Sequence, residues 1–240
     1  MKNNYENDKA TSILSVVLSS GNVEMVNKVI STYGIKPDKI REISNVSNEH
    51  GFYPIHVAVE LGRVGVVKFL VNSGANINKV SNNEVALTPF HIACHVKNKE
   101  LVKYFLEQGV KNISSGAGID NFIWALEIPD TELIQKMLDK GYDINTRDSD
   151  GRTGVFWMSY YGWHKITRFL LDKEANANIP NKDGVYPLQI AAEKGHLEVV
   201  KQLYDKNSNL WSEALKIASL KNHLDVATFL LDKIIGNSTS

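Results

Sequence analysis

Cysteine is nearly absent. Cys94 stands alone, so no disulfide can close within the chain, which suits a reducing compartment. Long apolar runs are missing too: none approaches the roughly 18 residues that a membrane span needs. The opening residues, MKNNYENDKATS, hold no apolar signal-peptide core. The sequence therefore predicts a soluble chain acting in a cytoplasm, or in a host cytoplasm if delivered there by a machine that reads a folded or C-terminal signal. Neither charge sign is in excess, because 27 Lys and Arg balance 27 Asp and Glu. That removes the electrostatic footprint of a general nucleic-acid binder and of a polybasic membrane anchor. With only 16 Gly and 6 Pro, the chain also lacks the composition of a disordered protein. It has no Gly-rich phosphate loop, nucleophile elbow or paired-carboxylate signature, so no enzyme, cofactor or metal is assigned.

What is present is a repeated pattern, clearest at Asn181–Asp205, NKDGVYPLQIAAEKGHLEVVKQLYD. Gly184 ends a turn, and Pro187 sits where a first helical residue can spare its N–H. Leu188, Ile190, Ala191 and Ala192 give a short apolar face before Gly195 breaks the helix. Leu197, Val199, Val200, Leu203 and Tyr204 then recur at helical spacing. A helical pair this short cannot bury its apolar face alone, so it must stack against copies of itself.

Six other segments repeat the pattern with varying fidelity. The first starts near Ser12 with Leu14, Val17 and Leu18, breaks at Gly21 and ends near Gly34. A long connector follows at Ile35–Asn48, with Pro37 and a predicted helical turn at Asp38–Ile43; it reads as a tolerated insertion ahead of a specificity loop. The second and third units carry Tyr53-Pro54-Ile55-His56 and Thr88-Pro89-Phe90-His91, with the prolines 35 residues apart. In the fourth, Asn121 replaces the proline and Pro129-Asp130 replaces the Gly-His break. In the fifth, Thr153-Gly154-Val155-Phe156 holds the signature position and Glu174 stands in place of glycine. The seventh, from Trp211, follows the sixth after a shortened connection and should act as the C-terminal cap.

These tetrapeptides, with Gly195-His196, Val199-Val200 and Gly74-Ala75-Asn76-Ile77-Asn78 at one period, resemble ankyrin repeats. The resemblance implies an all-α ankyrin-repeat solenoid of stacked helix-turn-helix units with short hairpin-like fingers. Its repeats would lie near 12–36, 48–80, 83–113, 115–147, 148–180, 181–208 and 209–235. A disordered stretch 1–11 and a flexible tail 236–240 would flank this single domain.

It further implies that His56 and His91 are structural caps, and that function lies in a concave groove and the fingers. The groove positions are those after the finger glycine, Phe52, Leu87, Ile119, Arg152 and Val185, and those at the end of each first helix. The latter include Leu61, Val96, Ile128, Tyr160 and Tyr161, with Trp163 beside them where the pattern has His. Their apolar and aromatic character, rimmed by Glu60, Glu127, Arg152 and Lys194, predicts a surface that binds another protein. A register slip of one would instead place them in the core, and Trp163 equally suits a structural cover over the neighbouring repeat. The fingers Asn82–Leu87, Arg147–Arg152 and Pro180–Val185 would set specificity. The chain is expected to be a monomer on its own, and its Asn-, Lys- and Ile-rich composition suggests an effector acting on host proteins.

Three alternatives stand beside this. His91 and His95, four apart with Cys94 between them, have the spacing of a helical metal site. Tyr160, Tyr161 and His164 near Asp150 form a candidate acid–base group. The chain could also serve as a structural spacer in a larger assembly. The DSDG run at Asp148–Gly151 superficially suggests a calcium loop, but it lacks the later glutamate and fits a finger turn better.

Overall fold

The structure is a computed structural model that describes residues 12–18, 22–116, 118–204 and 210–238. It is all-α among the described residues. The helices cluster into two compact units, Met1–Ala117 and Gly118–Ser240.

The first unit holds α1 (residues 12–18), α2 (Val23–Tyr33), α3 (Pro37–Ser44), α4 (Pro54–Glu60), α5 (Val64–Asn72), α6 (Pro89–His95) and α7 (Lys99–Glu107). Helix α1 buries Leu14, Val17 and Leu18, and α2 buries Val26. The connector is not a loose loop. Pro37 starts a full two-turn helix whose Ile40 and Ile43 are buried, extending the single turn predicted there. Its Arg41 guanidinium lies so close to Gly74 that an added Cβ would come within 2.8 Å of Nε. Helices α4 and α6 pack side by side, and each packs on the second helix of its own pair.

The signature histidines explain how each pair is locked to the next finger. His56 Nδ1 accepts the Tyr53 N–H (3.1 Å), and its Nε2 donates to the Lys79 carbonyl (2.8 Å). His91 repeats the pattern with the Thr88 N–H (3.2 Å) and the Ile113 carbonyl (2.9 Å). One nitrogen accepting and one donating is the pattern of a neutral imidazole. Burial accordingly lowers the His56 pKa to about 4.

The second unit holds α8 (Asn121–Ala125), α9 (Thr131–Asp139), α10 (Gly154–Tyr161), α11 (His164–Asp172), α12 (Pro187–Glu193), α13 (Leu197–Tyr204), α14 (Trp211–Leu220) and α15 (Leu224–Ser238). First helices α10, α12 and α14 pack in succession, as do second helices α11, α13 and α15. The turn inside a pair uses a left-handed residue: Gly162 (φ 72°), Gly195 (73°) and Asn222 (61°) here, Gly62 and Lys97 in the first unit. At Gly162 glycine is required twice, because a Cβ there would also lie 2.6 Å from His196 Nδ1. That histidine donates from Nε2 to the Tyr160 carbonyl (3.0 Å), and His223 does the same to Glu193 (2.8 Å).

The fourth pair departs from this rule, and one site assignment falls with it. Pro129 occupies the turn position, and its ring fixes φ near −65°, so the left-handed turn is closed to it. Helix α8 stops after five residues, and Ile128 is fully buried where the corresponding Leu61 and Val96 are exposed. The predicted groove role of Ile128 is thus corrected to a core role. Helix α15 continues through Ser238, and the rest of the tail expected from residue 236, like the stretch 1–11, lies outside the described residues.

Candidate functional site

The fifth repeat builds its surface from the finger upward. Gly151 (φ 78°) makes the turn, and the Asp148 side chain, wholly buried, organises it. Its Oδ1 accepts the N–H groups of Asp150 and Arg152 (both 2.9 Å). Its Oδ2 accepts from Arg152 Nε (2.8 Å) and from Trp157 Nε1 (3.0 Å). Arg152 also pairs with Asp150. Both carboxylate oxygens of Asp148 thus face N–H donors, which assigns DSDG to the turn and not to a cation. The next finger is tied on by Arg147 Nη2 to the Pro180 carbonyl (2.9 Å) and by the Lys182 N–H to the Asp150 carbonyl (2.8 Å).

Thr153 then caps α10 through its hydroxyl, which accepts the Phe156 N–H. The helix buries Val155, Phe156, Met158 and Ser159, leaving Trp157, Tyr160 and Tyr161 at i, i+3 and i+4 on its other face. Trp157 meets Tyr161 nearly parallel at 5.8 Å and Tyr160 edge-on at 5.9 Å. Tyr160 and Tyr161 cross at 5.2 Å, and Trp163 lies 5.4 Å from Tyr161. Two cations sit over these rings, the Arg152 guanidinium 4.4 Å from Trp157 and Lys194 Nζ 4.8 Å from Tyr160. Tyr160 and Tyr161 are nonetheless 38% and 47% exposed, which leaves a rigid aromatic surface open to a ligand.

Beside it a pocket opens toward the fourth repeat. A Cβ at Gly154 would lie 2.6 Å from Leu126 Cδ1, so the glycine lets α10 close on that repeat. Trp157, Met158 and Tyr161 on one side and Ile119, Ile123, Trp124 and Glu127 on the other line the space. Burial holds the Tyr161 phenol above its ordinary pKa, and the Glu127 carboxylate adds to the shift.

The structure therefore brings together Ile119, Arg152, Tyr160, Tyr161 and Trp163 of the predicted residues, and removes Ile128. In the other unit, Leu61 and Val96 are exposed at the ends of α4 and α6, Leu87 is half-buried, and half-buried Phe52 meets His56 edge-on at 6.0 Å. Sequence reasoning missed Trp157 and Trp124, 33 residues apart at the same place in the first helices of successive repeats. The signal was available: Trp157 stands three and four residues before Tyr160 and Tyr161, the spacing that puts all three rings on one helix face. His91 has both ring nitrogens engaged by the backbone, and Cys94 is buried, while His95 is exposed. Among the described residues no group of three or more His, Cys, Asp or Glu is placed to hold a metal. His164 is exposed at the start of α11.

Comparison with known proteins agrees with this architecture. A family model of ankyrin repeats in three copies matches residues 122–213 and 179–239, and one of ankyrin repeats in many copies matches 55–106. The human transient receptor potential cation channel subfamily A member 1 is 26% identical over 213 residues, covering 85% of this chain and 18% of the channel. The probable 26S proteasome regulatory subunit p28 of Saccharomyces cerevisiae is 37% identical over 97 residues, 36% of this chain and 42% of that subunit. The chain spans 18% of the channel and 24% of a Lachancea kluyveri palmitoyltransferase, AKR1, so it corresponds to a portion of such relatives. Among solved structures, a chain in the complex of the Bd0816 predatory endopeptidase from Bdellovibrio bacteriovorus with immunity protein Bd3460 superposes with a TM-score of 0.68. It shares 22% identity and covers 80% of this chain and 97% of that one, a likeness of fold. The chain belongs to the ankyrin-repeat family.

Proposed function

We propose that this chain is a non-enzymatic interaction module that binds a partner protein, and that the aromatic face of the fifth repeat is its main anchor. The observation that carries the reading is the four-ring cluster of Trp157, Tyr160, Tyr161 and Trp163, locked by mutual contact yet exposed at its two tyrosines. Large rings held in place lose little entropy on binding, which is why Trp and Tyr dominate interface energetics. The stitched fingers at Arg147–Arg152 and Pro180–Val185 supply polar groups at its edge for specificity. The Asn-, Lys- and Ile-rich composition supports a partner in a host cytoplasm, as for an effector.

Affinity capture from cell and host lysates, comparing the natural chain with a Tyr160→Ala/Tyr161→Ala double variant, tests the reading. Proteins held by the natural chain should be lost from a variant that melts at the same temperature. Equal recovery by a well-folded variant would move the binding site elsewhere.

A further inference from the structure

Successive fingers are joined edge to edge by a recurring hydrogen bond. The Asn82 N–H donates to the Gly51 carbonyl (2.7 Å), and Asn83 donates from Nδ2 to the His50 carbonyl (3.2 Å). In the same way the Lys182 N–H donates to the Asp150 carbonyl (2.8 Å). Each incoming finger also lies against the turn glycine before it: a Cβ at Gly51 would overlap the Asn82 carbonyl, one at Gly118 would lie 2.8 Å from Ser149 N, and one at Gly151 3.2 Å from Lys182 N. The sixth finger makes the same turn around Asn181, so Asp183 and Gly184 carry the carbonyls that correspond to Asp150 and Gly151. Among the described residues no donor reaches either carbonyl, and nothing lies within 4 Å of a Cβ built at Gly184. Residues 205–210 alone join α13 to α14, where 173–186 join α11 to α12.

Resting on the binding role above, we infer that this open finger edge takes an extended segment of the partner protein. The segment adds as one more finger would, a backbone N–H donating to the Asp183 carbonyl, and one arginine side chain enters the groove beside it. Backbone pairing at an exposed edge is a general way to bind an extended peptide. The groove measures about 370 Å³ and runs between Asp183–Val185, Gln189 and Glu193 on one side and Glu213, Ile217, Leu220 and Lys221 of α14 on the other. Its apolar side chains include Leu220, 75% exposed. Glu193 and Glu213 have Lys194 and Lys216 at 3.5 and 3.7 Å, whereas the printed contact of the Asp183 carboxylate is with the Asn181 amide (3.3 Å). Asp183 is thus the carboxylate placed to take a cation from outside. An arginine meets both demands, laying its apolar stem on Ile217 and Leu220 and its planar fork on Asp183. One repeat earlier Arg152 does the same within its own finger, stacked on Trp157 and paired with Asp150, the counterpart of Asp183.

The test titrates a capped Thr-Val-Arg-Val-Thr peptide, held extended by its β-branched residues, into the full chain. Amide chemical shifts at Gly184, Val185, Ile217 and Leu220 should move and saturate. Citrulline in place of the arginine keeps the shape and removes the charge, and it should weaken binding about tenfold. N-methylation of the peptide backbone removes its donors and should weaken binding by at least about tenfold. In the chain, Gly184→Asn tolerates the positive φ and puts a side chain where the strand must lie, so it should abolish binding at an unchanged melting temperature. Asp183→Asn should erase the preference for arginine over citrulline, and it decides where Gly184→Asn does not fold. Absence of saturable shifts, equal affinity for the N-methylated or the citrulline peptide, or full binding to a folded Gly184→Asn chain overturns the assignment. If the peptide fails while the Tyr160/Tyr161 variant still loses captured proteins, the sixth-finger edge fails alone. If the peptide binds as expected while capture is unchanged, the aromatic-anchor reading fails alone.

Discussion

Trp157 Nε1 donates to Asp148 Oδ2 at 3.0 Å, joining the finger turn to the exposed aromatic face. Because the same buried carboxylate also receives two backbone N–H groups and Arg152 Nε, the finger and the helix surface share one acceptor. Asp148→Ala strands all four donors and should destabilise the second unit by about 3 kcal/mol in chemical unfolding. Trp157→Phe removes one donor and keeps a ring, so its cost should be near 1 kcal/mol. Similar losses for the two variants would mean that Asp148 acts through Trp157 alone.

Ile128 and Leu61 occupy the same place in their repeats but opposite environments, one fully buried and one 47% exposed. Ile128→Ala should cost about 2–4 kcal/mol through the cavity it leaves. Leu61→Ala should stay within about 0.5 kcal/mol of the natural chain. Unfolding midpoints of the two variants measure the contrast, and equal costs would contradict the burial difference attributed to Pro129.

How much of this was legible in the sequence follows from how each residue is held. The repeat period, the capping role of His56 and His91, and the DSDG turn depend on short-range backbone geometry, which residue type reports directly. The exposure of Tyr160 and Tyr161 at the end of α10 follows from repeat position, which specifies the direction of a helix-end side chain, and Arg152 follows from its place just after the finger glycine. Ile128 was misplaced because one proline changed the turn beside it while the repeat count stayed intact. Trp157 and Trp124 were missed because they lie in the helix middle, where the pattern usually places ordinary packing residues. The Asp148–Trp157 bond spans nine residues and two elements, and no local pattern announces it.

Stability should depend on pH through His56, whose folded pKa of about 4 lies below its ordinary 6.5 because burial disfavours the charged ring. The unfolded chain binds this proton first as pH falls, so stability from a neutral His56 is complete above pH 6.5 and is lost down to about pH 4. The full loss is on the order of 3 kcal/mol. Gln189 fills the equivalent place in the sixth repeat, where its Oε1 accepts the Tyr186 N–H at 2.8 Å. His56→Gln therefore keeps the cap and removes the proton, and it should flatten the unfolding free energy between about pH 4.5 and 6.5. A slope unchanged in that variant would assign the pH dependence to other groups.

Glu174 takes φ 63° at the end of α11, where Gly74, Gly109 and Gly141 end the second helices of other repeats at 89°, 73° and 85°. A side chain in the left-handed region crowds its own backbone, whereas glycine does not. The Glu174 side chain is exposed, so little packing is lost with it. Gly pays more chain entropy on folding, but at this C-terminal position the relief of strain is the larger effect. Glu174→Gly should raise stability by about 0.5–1 kcal/mol. Glu174→Ala retains the Cβ and should gain none of it. Thermal melts of the two variants separate backbone relief from loss of the carboxylate, since equal shifts would trace the effect to charge.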